Sequence, residues 1–268
     1  MIFTPPTIIR LQRIFRNFRL SGGLALLLFG QSYSGEAAQT GQNHTDSFRS
    51  DNGQVIVSQV MQMSVVISTP AGVIYTDPTR GKRQYSEHPS PDLILISHEH
   101  HEHFDVATLE QIAGPDTRIV VPPDVMQRLP AKLATKAVSL AYGETSEFGA
   151  IEVEAVAAYG LKGQSARWHP FGQGNGYVVT VDGLRMYIAG STDATPEMQQ
   201  LQNINIAFLP LYPPYAMGVD DAIQAVSAIK PQFTYIYQYN SIHTREAFVR
   251  KLNNTATTTK VIARDIKQ

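Results

Sequence analysis

Residues 92–105 read Asp92-Leu-Ile-Leu-Ile-Ser-His-Glu-His-His-Glu-His-Phe-Asp105. The first half holds an unbroken apolar run, 93–96. A run that is apolar on both faces fits a strand buried within a stack of layers. The second half holds four of the chain's eight histidines, with Glu99 and Glu102 between them. Imidazoles and carboxylates are the donor types that bind divalent transition metals. His98 and His100 are one residue apart, so an extended turn points both the same way. His101 then points away, toward solvent. Glu102 and His103 follow where the chain bends toward a helix near 106–113, with Asp105 as its N-cap. They face a second position nearby.

Working outward, strands are expected at 54–60, 63–68 and 72–75, arranged in hairpins. Further strands are expected at 118–121, 137–140, 151–156, 204–211, 233–237 and 260–263. The pair 176–181 and 184–189 closes across Asp182-Gly183, a strong hairpin turn. Helices are expected at 196–201, 220–229 and 246–252; the second carries Ile223, Val226 and Ile229 along one side. Residues 158–176 read as a long irregular glycine-rich loop. Hairpins first, then strands alternating with helices, imply an α/β protein with two mixed sheets and helices outside, a four-layer αββα sandwich. Polar loops recur at strand ends: 77–80, 97–105, 190–193 and 238–244. Sites in open α/β sheets gather at such ends.

The chain has 268 residues, 43% of them hydrophobic, and a formal net charge of −1. That supports a sizeable core and gives no electrostatic case for a nucleic-acid partner. Cysteine is absent, so any metal must be held by His, Asp or Glu. Arg10, Arg13, Arg16 and Arg19 precede an apolar stretch at 20–30, which is short for a membrane span. Gly35 and Ala37 then offer small residues for cleavage. The expectation is a signal peptide at 1–37, export to the periplasm and no remaining membrane span. Residues 38–52 read as a flexible polar lead-in, and 53–268 as the folded domain.

The segment Ser97-His-Glu-His-His-Glu-His103 resembles the H-x-H-x-D-H signature of the metallo-β-lactamase superfamily. Its flanks resemble that family too: Thr76-Asp77-Pro78, residues 157–160, Trp168-His169-Pro170, and Asn175-Gly-Tyr-Val-Val179. Ile188-Ala-Gly-Ser-Thr-Asp193 with Pro196-Glu-Met198 resembles the A-G-D-T-D…P-E-M stretch of its lactonase and phospholipase-like branch. The resemblance implies the αββα fold and a metal-dependent hydrolase acting on an ester, lactone or phosphodiester of a small or lipid-like substrate. It implies one or two divalent ions, zinc first, with iron or manganese as alternatives. The expected metal residues are His98, His100, Glu102, His103, His169 and Asp193, with Glu102 also as catalytic base. Asp193 reads equally as a residue beside a helix cap, and Asp77 as a partner of a ligating histidine.

Four positions depart from the pattern. Glu102 replaces an aspartate, Ser191 replaces the acid that bridges two metals, Gln238 replaces a late histidine, and Met61-Gln62-Met63 stands at an early Gly-His-Ala element. A bridging carboxylate neutralises and spaces two dications, which a neutral serine cannot do. One reading is a one-metal hydrolase on His98, His100 and His169. A second is an altered pair recruiting Glu102 and His103 with Asp193 or His243. A third is a degenerate domain that only binds.

Overall fold

The computed structural model describes residues 45–266. The signal peptide expected at 1–37 and the polar stretch up to residue 44 lie outside them.

Two seven-stranded sheets carry the fold. The first holds β1 (Thr45–Arg49), β2 (Gln54–Gln59), β3 (Val65–Thr69), β4 (Gly72–Thr76), β5 (Leu93–Leu95), β6 (Arg118–Val121) and β7 (Ala137–Ser139), side by side in that order. The second holds β8 (Thr145–Phe148), β9 (Ile151–Ala158), β10 (Gly174–Val181), β11 (Leu184–Ile188), β12 (Ile206–Leu211), β13 (Phe233–Tyr239) and β14 (Lys260–Ile262). Both sheets follow one plan: four strands antiparallel, then three added in parallel. The helices are α1 (Val106–Ile112), α2 (Pro123–Met126), α3 (Ala131–Ala134), α4 (Gly163–Trp168), α5 (Pro196–Gln199), α6 (Val219–Ile229) and α7 (Ile242–Asn253).

Side-chain alternation fixes the layers. On β5, Leu93 and Leu95 enter the core between the sheets, where they join Val57, Ile67, Val179, Phe208 and Tyr237. Ile94, and Ile96 just beyond it, face the other way and pack with Leu109 of α1 and Val125 of α2. On the far side, Tyr187, Leu209 and Ile236 pack under Met198 of α5, Val226 of α6 and Phe248 of α7. The order is helix, sheet, sheet, helix. No helix among the described residues is long and apolar enough to cross a membrane.

Two expectations are corrected. Residues 45–49, read as part of a flexible lead-in, form the edge strand β1, so the folded domain starts before residue 53. Phe48 sits across from Val55 and meets the edge of the Phe233 ring at 4.9 Å. Asp46 is buried, accepting from Arg264 Nη1 at 2.7 Å and the Tyr235 hydroxyl at 2.6 Å. One apolar residue and one paired charge anchor this strand, too sparse a signal for periodicity to register. Within 158–176, read as irregular, β9 and β10 extend inward and enclose the single-turn α4.

Candidate metal centre

The histidine loop leaves β5 at the seam between the two sheets. Ser97 is its first residue. Its N–H and hydroxyl both donate to the Asp77 carboxylate, at 2.7 Å each, and its carbonyl accepts from Asn175 of β10 at 2.8 Å. Asp77 has a left-handed backbone, φ 40°, and its own N–H donates to Leu95. The two strand ends are thereby locked together before the histidines begin. The loop closes where His103 and Phe104 N–H both donate to the His100 carbonyl at 2.8 Å. Asp105 caps α1 by accepting from Thr108 N–H, as expected.

His169 arrives from the other sheet, at the C-terminal end of α4. Its N–H donates to Ser165, and its carbonyl accepts from Gly160. The chain crosses itself so closely there that a Cβ on Gly160 would lie 2.0 Å from the Ser165 carbonyl carbon. Asp193 holds the same turn, its Oδ2 accepting from Ser165 Oγ at 2.6 Å and Leu161 N–H at 2.8 Å.

These loops bring His98, His100 and His169 together, with one ring nitrogen of each inside a mutual 4.8 Å. His98 Nε2 stands 3.2 Å from His100 Nδ1. Burial first, then the neighbouring imidazoles, hold His98 well below its ordinary pKa, and burial also lowers His100. His169 is brought down to about 4, mainly by burial and then by His100 and His103. All three rings are neutral at pH 7, each with one bare nitrogen lone pair.

The proton positions follow from Asp77. A carboxylate only accepts, so the Ser97 hydroxyl proton goes to it. The Ser97 oxygen then faces His98 Nδ1 at 2.9 Å as acceptor, placing the proton on Nδ1 and leaving Nε2 bare. His169 Nδ1 is buried without a hydrogen-bond partner, so the ring's hydrogen bond to the Tyr215 backbone falls to Nε2. A buried nitrogen without a partner is costly unless something takes its lone pair, and a cation does so. Three neutral imidazoles with a further position open fit a divalent transition metal.

The remaining expected residues go elsewhere. Glu102 is exposed and pairs with His101 at 3.0 Å; it lines a separate cavity of about 270 Å³ with Met61, Arg80 and Asp105. His103 is fully buried behind His98, with ring centroids 4.0 Å apart. Its Nδ1 meets Asp77 Oδ2 at 2.7 Å and its Nε2 meets Ser191 Oγ at 3.2 Å. Asp193 serves the α4 turn, and His243 is exposed on α7. Gln238 Oε1 lies 3.4 Å from Ser191 Oγ, and Gln62 accepts from Tyr239 N–H. The sequence reading missed Ser97, whose place between β5 and His98 was the available signal. It also took Ser191 only as the loss of an acid, not as a partner of His103.

The cleft above the centre is lined by His98, His100, Trp168, His169, Gly174 and Ser191, and has free space of about 10 Å³, about one water's worth. Trp168 on the cleft wall and Tyr215 against it stand half-exposed. Trp168 touches both His100 and Tyr215 edge-on, with centroids at 5.8 and 5.9 Å.

Fold and site together define an αββα protein with a histidine centre at the sheet seam. Residues 58–236 match the family model of the beta-lactamase superfamily domain, and the chain belongs to that family. It is 30% identical over 158 residues to a UPF0173 metal-dependent hydrolase of Pyrococcus furiosus, covering 57% of this chain and 68% of that one. A presumed metal-dependent hydrolase from Parabacteroides distasonis superposes with a TM-score of 0.76 at 30% identity, over 84% of this chain and all of the other (100%). Igni18, a metallo hydrolase of Ignicoccus hospitalis, shares the fold at 17% identity and a TM-score of 0.66, over 80% and 96% of the two chains.

Proposed function

We propose that the protein is a metal-dependent hydrolase whose His98, His100 and His169 hold one divalent cation, and that it cleaves an ester, lactone or phosphodiester. The observation that carries this reading is the convergence of one ring nitrogen each from His98, His100 and His169 within a mutual 4.8 Å, with His169 Nδ1 buried and without a hydrogen-bond partner. Three neutral nitrogen donors favour zinc over harder ions. A cation held there supplies Lewis acidity, lowering the pKa of water and polarising a substrate oxygen. The chain's own residues do the rest. Ser97 and Asp77 keep His98 in one tautomer and orientation. Asp193 and Gly160 set the position of His169. Trp168 and Tyr215 offer an apolar approach for the acyl or lipid-like part of a substrate.

Metal analysis of purified, zinc-reconstituted protein tests the reading. About one ion per chain is expected, as three protein ligands with one open position form a single catalytic site. His169→Ala should lose most of it. Protein that retains no zinc, iron or manganese after reconstitution overturns the assignment.

A further inference from the structure

The position of the missing bridging acid holds a second set of reactive groups. Asp77 Oδ2, His103 Nδ1, His103 Nε2 and Ser191 Oγ form one chain, with links of 2.7 and 3.2 Å. We propose that Ser191 is a nucleophile activated by His103 and Asp77, giving this protein a serine-type acyl-transfer activity toward small carboxylic esters. The reading above is needed only for the cleft that the substrate enters, because the step itself draws on protein groups and water.

Four observations carry the proposal. The Asp77 carboxylate can only accept, so His103 Nδ1 bears a proton and Nε2 presents its lone pair to the Ser191 hydroxyl. Asp77 is itself fixed by the Ser97 N–H and hydroxyl, so the base is oriented by a rigid acid. Ser191 follows the end of β11 after Gly190, whose φ of 69° turns the chain sharply and sets the serine on the cleft wall. The only other side chain that bonds the Ser191 hydroxyl among the described residues is Gln238, at a longer 3.4 Å.

The chemistry balances. Ser191 Oγ attacks the ester carbonyl carbon as its proton passes to His103 Nε2. The carbon–oxygen bond to the leaving group breaks, and the departing alkoxide takes that proton, leaving acyl-Ser191. Water then attacks the acyl carbon, gives its proton to His103 Nε2, and releases the acid. The proton returns to Ser191 Oγ. Asp77 holds the imidazolium through both halves.

The probes are p-nitrophenyl acetate and methanesulfonyl fluoride, two small acylating and sulfonylating reagents, applied to the full chain both zinc-loaded and chelator-treated. Acid-quenched samples are digested and the peptide containing Ser191 is weighed. One acetyl or methanesulfonyl group on Ser191 is expected in both preparations, with the sulfonyl reagent blocking acetylation. Ser191→Ala should lose the label. His103→Gln should slow labelling about a hundredfold or more, the usual contribution of a positioned base. The sulfonyl reagent leaves a permanent adduct on a base-activated serine, so it reads the wild-type chain even where a variant folds badly. A Ser191 left unmodified by both reagents, or labelled equally fast in folded His103→Gln, overturns the proposal. Metal content measured on the same samples reports the cation reading separately.

Discussion

The centre depends on three imidazoles staying neutral, and this links its integrity to pH. Burial and neighbouring rings hold His169 at about 4 in the folded chain, against 6.5 ordinarily. Below 6.5 the unfolded chain therefore takes up the proton first, and folding stability falls with pH until both forms are protonated near 4. The full difference is roughly 3 kcal/mol for this ring. Metal-free protein should unfold at a lower urea concentration at pH 5 than at pH 7, and His169→Gln should shrink that gap. A gap that stays the same in the variant would place the acid sensitivity elsewhere. His98, His100 and His169 were legible as a set because residue type, spacing and the flanking motifs all pointed to metal. Glu102 misled because an acid inside a histidine run reads as a ligand. Its exposed side chain pairs with His101, a preference set by how the loop closes on the His100 carbonyl. Ser97 and Ser191 escaped notice because a hydroxyl takes its role from its neighbours, and sequence does not place Asp77 beside residue 97.

At the scale of elements, the centre is assembled by short pieces rather than long ones. The strand β5 was plain from its apolar run. In contrast, α4 is a single turn with Gly163 at its start and no helical period to read. It exists because Asp193 and the Gly160 crossing impose it. Gly160→Ala should therefore remove metal without touching a ligand, since the new Cβ would strike Ser165 backbone at 2.0 Å and move the helix that carries His169. Metal content should fall several-fold while far-ultraviolet circular dichroism keeps its shape. Retention of a full metal complement would show that the crossing is more pliant than its contacts indicate.

Across the whole molecule, the donors come from both halves: His98 and His100 from the first sheet, His169 from the second. The four-layer order could be read from strand and helix alternation, but the true edge of the first sheet could not. That edge is fixed by a partner 218 residues away, where Arg264 grips the buried Asp46. Arg264→Met leaves that carboxylate buried without its counter-charge and should cost about 3 kcal/mol in denaturant unfolding, as unpaired buried charges do. The double variant Asp46→Asn, Arg264→Met should recover part of the loss. Equal losses in Arg264→Met and in the double variant would mean that the unpaired Asp46 charge is not the source of the cost.

The same grip has a topological meaning. Because Asp46 of the first described strand is paired with Arg264 near the end of the described residues, the two ends of the described chain lie near each other. The two ends of the described residues could be joined by a short linker, and new ends opened at the exposed turn of Gly149 and Ala150, without moving any strand from its neighbours.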